Sequence, residues 1–199
     1  MKEERTSMLI VISGPSGTGK GTICERLLAD DPSLTFSVSV TTRDQRDNEI
    51  PGVHYHFISE AEYDRLLVEE AFLEHATVHA HRYGTLKSQV QELMDKGMNV
   101  VLDIDPQGAK EVMRQRPDCV SIFILPPSYA ALRVRLHTRN TDDPKEIERR
   151  LGNARGEIEQ MDRYQYVVVN DDLELAYQQV ASIIAAEKQR TVRYKPVIE

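Results

Sequence analysis

Cysteine is scarce in this chain, with two residues, Cys24 and Cys119, among 199. Two thiols cannot build a disulfide framework, and they suit a reducing compartment as small buried hydrophobes. Positive charge is in deficit: 25 Lys+Arg against 32 Asp+Glu leave a net charge of −7. That argues against a general nucleic-acid or acidic-membrane binder, which works through a basic surface. A small anionic ligand stays open, because a few placed cations bind one inside an acidic protein. A long apolar run is missing near the start as well. After the polar stretch Met1 to Ser7, the run Met8 to Ile12 is five residues long, too short for a signal sequence or a membrane span. These absences read as a cytoplasmic protein. No repeat or low-complexity tract stands out. With 40% hydrophobic and 29% charged residues, the composition fits one ordinary globular domain with a sizeable core.

What is there is an alternation of short apolar runs with helical patterns. Met8 to Ile12 reads as a strand buried on both faces, closed by Gly14-Pro15. A helix follows over Gly19 to Ala29. Met98 to Ile104, Val120 to Leu125 and Tyr166 to Val169 read as further buried strands, each followed by a helical pattern, over 107–115, 128–138 and 172–189. The alternation predicts an α/β fold, a parallel sheet with helices on both faces. Two stretches break the rhythm. Residues 36–85 carry strand-like pieces (Phe36 to Val40, Val53 to Ile58, Phe72 to His79) around one helix opened by the capping-box pattern Ser59-Glu60-Ala61-Glu62, and read as a small α+β insertion. Residues 137–163 are rich in charge and read as a solvated helical excursion outside the core.

Four of the ten glycines fall in Gly14-Pro15-Ser16-Gly17-Thr18-Gly19-Lys20-Gly21. The run follows a buried strand, opens a helix and satisfies G-x-x-x-x-G-K, the phosphate-binding loop. Glycines let backbone N–H groups turn toward one point, the helix N-terminus adds a positive dipole end, and Lys20 places a cation on the β- and γ-phosphates. Where Ser or Thr usually follows the lysine to hold Mg²⁺, this chain has Gly21 and then Thr22. Either Thr22 takes the metal role or water does. The loop alone does not separate kinase, GTPase and ATPase.

The insertion narrows the choice. Arg43 and Arg46, three residues apart and near Tyr55, suit a bidentate phosphate clamp; the same charges also suit a solvated surface. Glu74 is acceptor-only, so it complements the N1–H and N2–H₂ donors of guanine and repels the bare N1 of adenine. Five of the six histidines lie between 54 and 81. His54/His56 and His79/His81 each share a strand face, but no cysteine or carboxylate cluster completes a zinc pattern, and they read as strand-face residues.

Taken together, Gly14–Gly21, Ser37–Arg43, Gly52–Phe57, Phe72–Ala76, Tyr83–Thr85, Leu102–Asp105, Ser121–Pro127 and Val168–Asp172 resemble the guanylate kinase family, from about Met8 to Arg190. The resemblance implies a P-loop NTPase core (8–35, 86–136 and 164–190) with a GMP-binding insertion (36–85) and a helical lid (137–163), followed by a tail (191–199). It implies reversible transfer of the γ-phosphoryl of ATP to GMP, with Mg²⁺ as cofactor and dGMP as a plausible acceptor. ATP and GMP are then the partners, without nucleic acid or membrane, and the protein is a monomer or a homo-oligomer. On this resemblance the loop Gly14, Pro15, Ser16, Gly17, Thr18, Gly19, Lys20, Gly21 and Thr22 binds ATP, with Arg135, and with Asn170 near the adenine. Ser39, Arg43, Arg46, Tyr55, Glu74, Tyr83, Thr85 and Asp105 bind GMP. Lys20, Arg43, Arg139, Arg150 and Asp103 carry catalysis, and Thr22 and Asp103 face the metal, directly or through water. Asp103 and Asp105 also fit a plainer role as helix caps before Gly108. This chain departs from the family at His137-Thr138-Arg139-Asn140, which lacks the lid's usual glycine and implies a stiffer hinge. It departs again at His79-Ala80-His81-Arg82, which implies a different loop shape or an extra cation near the GMP phosphate.

Overall fold

Both faces of the first apolar run are buried in a computed structural model, which describes residues 3–46, 49–78, 81–138 and 144–197. In chain order the elements are β1 (Glu3–Arg5), β2 (Leu9–Ser13), α1 (Lys20–Asp30), β3 (Leu34–Phe36), β4 (Val40–Thr41), β5 (His56–Phe57), α2 (Glu60–Val68), β6 (Phe72–Val78), β7 (His81–Leu86), α3 (Lys87–Asp95), β8 (Asn99–Asp103), α4 (Pro106–Gln115), β9 (Val120–Leu125), α5 (Tyr129–Thr138), α6 (Pro144–Ile158), β10 (Tyr166–Val169), α7 (Leu173–Lys188) and β11 (Tyr194–Pro196). Five strands form an all-parallel sheet in the order β10-β9-β2-β8-β3. Side chains alternate along each strand, so Ile10 and Ile12 meet Ile23 and Leu27 of α1 and Val180 and Ile184 of α7. Leu9 and Val11 point the other way, to Val90 of α3 and Ala109 and Val112 of α4. The parallel sheet flanked by helices matches the sequence expectation.

A second sheet, ordered β5-β4-β7-β6, stands on residues 40–86. Helix α2 packs on it through Tyr63, against Val40 and Phe72. Its start follows the capping pattern, the Ser59 hydroxyl accepting from the Glu62 amide at 3.1 Å. The chain leaves the core through residues 37–39 and returns with no linker, since β7 ends at Leu86 and α3 begins at Lys87. Gln89, two residues past the return, binds the exit and the second sheet: its Oε1 accepts from the Ser37 hydroxyl at 3.1 Å and its Nε2 lies 3.1 Å from Nε2 of His56 on β5.

Four sequence expectations change. The run Phe36 to Val40 is not one strand: Phe36 pairs with Val101 in the core sheet, whereas Val40 pairs with His56 and Gly84 in the second. Val53 to Ile58 shrinks to His56–Phe57, because Pro51 and Gly52, the latter at φ 77°, turn the chain just before it. Helix α3 is an element without a start signal in the sequence; its N-cap, Leu86, offers no capping side chain. The charged excursion holds a small core of its own, where Ile147, Leu151 and Ala154 of α6 meet Leu132 and Leu136 of α5. The missing lid glycine and Arg139 lie outside the described residues.

The tail is tied down, β11 pairing antiparallel with β1. Beside it Glu187, 4% exposed, accepts from the Tyr166 hydroxyl at 2.5 Å and from Arg193. Burial pushes this carboxyl up, but Tyr166, Arg193 and Arg190 together hold it below the usual glutamate range. Arg193→Ala removes the buried cation of this set, leaving Tyr166 and Arg190, and is expected to cost about 3 kcal/mol, the low end for breaking a buried pair. That corresponds to a thermal midpoint lower by roughly 6–12 °C, read by calorimetry. Because the carboxyl is depressed, its stabilisation is present above the unfolded glutamate pKa and lost as pH falls through the folded one.

Candidate active site

The C-terminal ends of β2, β8, β9 and β10 lie along one edge of the core sheet, where open α/β sheets bind ligands. The Gly14–Gly21 loop leaves β2 there. A Cβ on Gly14 would stand 2.2 Å from the Ile124 carbonyl oxygen, and one on Gly19, at φ 88°, 2.4 Å from Asn170 Nδ2. No larger residue lets the loop lie this close to β9 and to the residue that follows β10. Asn170 braces the loop: Nδ2 donates to the Thr18 carbonyl at 2.7 Å, and its buried Oδ1 has no hydrogen-bond partner among the described residues. Inside the loop the Thr18 hydroxyl donates to the Pro15 carbonyl at 2.9 Å.

Lys20 folds back into this loop, donating to the carbonyls of Gly14 at 2.7 Å and Pro15 at 3.0 Å. Burial lowers its pKa, opposed chiefly by the nearby Asp103 carboxylate. Asp103 ends β8 as its exposed residue. Arg150 of α6 reaches the loop, Nη1 donating to the Ser16 hydroxyl at 3.1 Å. Arg135 of α5 reaches the Asp171 carbonyl at 3.4 Å, and Thr22 is exposed on the first turn of α1.

The second sheet brings up the acceptor set. Glu74 on β6 stands opposite Thr85 on β7, whose hydroxyl donates to Glu74 Oε1 at 2.6 Å. The carboxylate is 6% exposed, and burial raises its pKa. Arg43 lies over the rings of Tyr55 and Phe57, at 5.6 and 5.8 Å, and Tyr55 meets Tyr83 edge-on at 5.8 Å. Arg46 is exposed, and Ser39 is half-buried, its carbonyl accepting from the His56 amide at 2.9 Å. Asp105 takes up the capping role, its Oδ1 accepting from the Gly108 amide at 2.8 Å at the start of α4. Between the two sets lies a cleft of about 800 Å³, lined by Ser16, Ala76, Asp105, Arg149 and Arg150 among others. Arg43, Arg46 and Tyr55 form a separate cluster and are not among its described lining residues.

Among the described residues no three His, Cys, Asp or Glu side chains gather to hold a metal. A Cβ on Gly21 would stand 3.6 Å from Asp103 Oδ2, so the carboxylate lies beside the first turn of α1. One carboxylate near a phosphate site fits Mg²⁺, which keeps waters and substrate oxygens as its other ligands; it does not fit zinc. Two of the paired histidines have partners within the fold: His54 Nδ1 accepts from the Ile50 amide at 2.9 Å and His56 meets Gln89, whereas His79 lies outside the described residues. Arg82, the extra cation, is turned toward α2, where it pairs with Glu60 and Asp64 and covers the Tyr63 ring at 4.4 Å.

Compared with known proteins, residues 6–187 match the family model described as guanylate kinase. The chain belongs to the guanylate kinase family. A guanylate kinase of Symbiobacterium thermophilum is 48% identical over 193 residues, covering 97% of this chain and 92% of the relative. One from Clostridium perfringens is 45% identical, covering 97% and 89%. The crystal structure of guanylate kinase from Anaplasma phagocytophilum superposes with a TM-score of 0.74 at 34% identity, covering 96% of this chain and 90% of that one. Against this family background, two charged residues of the site escaped the sequence reading. Glu49 binds the arginine cluster, Oε1 accepting from Arg43 Nη2 at 2.6 Å and Oε2 from the Arg46 amide at 2.9 Å. Its signal was the R-x-x-R-x-x-E spacing. Glu157 of α6 lines the cleft, its carboxyl raised by burial and lowered by Lys20; nothing in its charged neighbourhood set it apart.

Proposed function

We propose that this chain transfers the γ-phosphoryl of ATP to GMP, giving ADP and GDP. The observation that carries the reading is the buried Glu74–Thr85 pair in a chain of this family that also has an intact phosphate loop, with Ser16 of that loop and Ala76, two residues past Glu74 on β6, lining one cleft. Loop amides and Lys20 hold the ATP phosphates, and Arg135, Arg139 and Arg150 close on them from residues 137–163 and the helix before. Asn170 braces the loop beneath the adenine. Arg43, Arg46, Tyr55 and Tyr83 hold the GMP phosphate, while Glu74 and Thr85 read guanine, with Ser39 and Asp105 beside it. A GMP phosphate oxygen bonds to the γ-phosphorus, the bond to the β,γ-bridging oxygen breaks, and ADP leaves with that electron pair. The acceptor is already ionised, so no strong base is needed; alignment and charge neutralisation suffice. Asp103, with Thr22 or water, would hold Mg²⁺, which neutralises charge on the β- and γ-phosphates when bound.

The test is ADP production from ATP with GMP, dGMP, AMP, CMP and UMP in parallel. GMP should lead, and equal rates with all five would overturn the reading.

Glu74 also sets a pH dependence. Accepting from N1–H and N2–H₂ requires the ionised carboxylate, and burial raises its pKa. The KM for GMP should therefore rise as pH falls through that raised pKa, where an exposed glutamate is still ionised. Glu74→Gln should flatten this limb in a pH–KM profile.

A further inference from the structure

The first turn of α4 abuts the base-reading carboxylate. Gly108 is buried at the third helical position, and a Cβ built on it would stand 2.8 Å from Glu74 Oε2, 3.4 Å from Cδ and 3.6 Å from Cγ. The first distance is shorter than any real Cβ contact, so something has to yield. The backbone of α4 is held there by the Asp105 cap and by buried Pro106, Ala109 and Val112. The atom in the way is the far end of a side chain, and its other oxygen is fixed by Thr85 at 2.6 Å. The carboxylate is what moves.

We propose that Gly108 is a positioning residue for base recognition: its missing side chain leaves the space in which Glu74 presents both oxygens to the acceptor base. The proposal rests on the reading of Glu74 as the guanine acceptor. Gly108 has no left-handed φ, so its conservation of space, and not backbone freedom, is the reason for a glycine. Alanine is the better residue for the helix itself. Gly108→Ala therefore separates the two roles: a purely structural glycine would show up in stability, a positioning one in GMP binding.

The experiment is a double-mutant cycle of Gly108→Ala with Glu74→Gln, reading KM for GMP, KM for ATP, kcat and thermal midpoint, with Gly108→Ser as a second variant carrying the same Cβ. A misplacement of this kind is worth on the order of 10–10²-fold. Gly108→Ala and Gly108→Ser should each raise the GMP KM by that factor, leaving the ATP KM and the thermal midpoint in place. Added to Glu74→Gln, Gly108→Ala should do little more, because both act through one carboxylate. If Glu74→Gln raises the GMP KM and Gly108→Ala does not, or if the two factors multiply, the Gly108 proposal falls while the Glu74 reading stands. If Glu74→Gln leaves the GMP KM unmoved, the Glu74 reading falls and takes the proposal with it.

Discussion

Lys20→Ala is expected to lower turnover by about 10²–10³-fold, the usual cost of removing one preorganised electrostatic group. The ammonium lies within the loop, on the carbonyls of Gly14 and Pro15. Burial lowers its pKa, and turning to a phosphate exchanges those two bonds for charge-assisted ones. The loop amides and the α1 N-terminus remain in the alanine variant, so ATP binding should weaken less than kcat. Steady-state kinetics with a melting curve for each protein checks this. Unchanged turnover in a folded variant removes Lys20 from the mechanism. Lys20→Arg should not rescue, because a planar fork cannot take the place of a compact ammonium between two carbonyls.

Glu74→Gln is expected to reduce kcat/KM for GMP by on the order of 10²–10³-fold, since a charge-assisted bond is lost and an amide N–H is turned toward a guanine donor. The fold should tolerate it well. The carboxylate is nearly buried with the Thr85 hydroxyl as its partner, and glutamine keeps both shape and one acceptor oxygen. AMP should gain relative to GMP, because the new N–H₂ can donate to adenine N1. The comparison is kcat/KM for GMP and for AMP, on both proteins. If neither moves, Glu74 does not read the base.

The parts of this molecule that the sequence disclosed are those whose cause is local. Gly14 to Lys20 announces itself because glycine spacing, a preceding buried strand and a following helix are all short-range. Strands β2, β8 and β9, buried on both faces, leave short apolar runs, Leu9 to Ile12, Val100 to Leu102 and Ile122 to Leu125. What stayed hidden depends on distant partners. Phe36 to Val40 alternates like one strand, and only the choice of neighbour, Val101 for one end and His56 for the other, divides it between sheets. Ile147, Leu151 and Ala154 lie at helical spacing, but charge surrounds them and their partners sit on α5. Glu49 is the exception, a local feature readable in the R-x-x-R-x-x-E spacing, its carboxylate lying on Arg43. Gly108 carries no signal in its own neighbourhood, since its meaning lies in a carboxylate 34 positions earlier.

The second sheet joins the core through two strands of backbone, residues 37–39 and the Leu86–Lys87 junction, and Gln89 ties the first of them and His56 of β5 to α3. Between these two links the sheet also leans on the core: Leu73 of β6 is buried with Val90, Ala109 and Val112, and its carbonyl accepts from Gln115 Nε2 at 2.9 Å. Glu74 is the next residue along that strand. The carboxylate is therefore anchored to the same helix that follows β8, and the strand that carries it takes its bearings from the phosphate-binding core as well as from its own sheet.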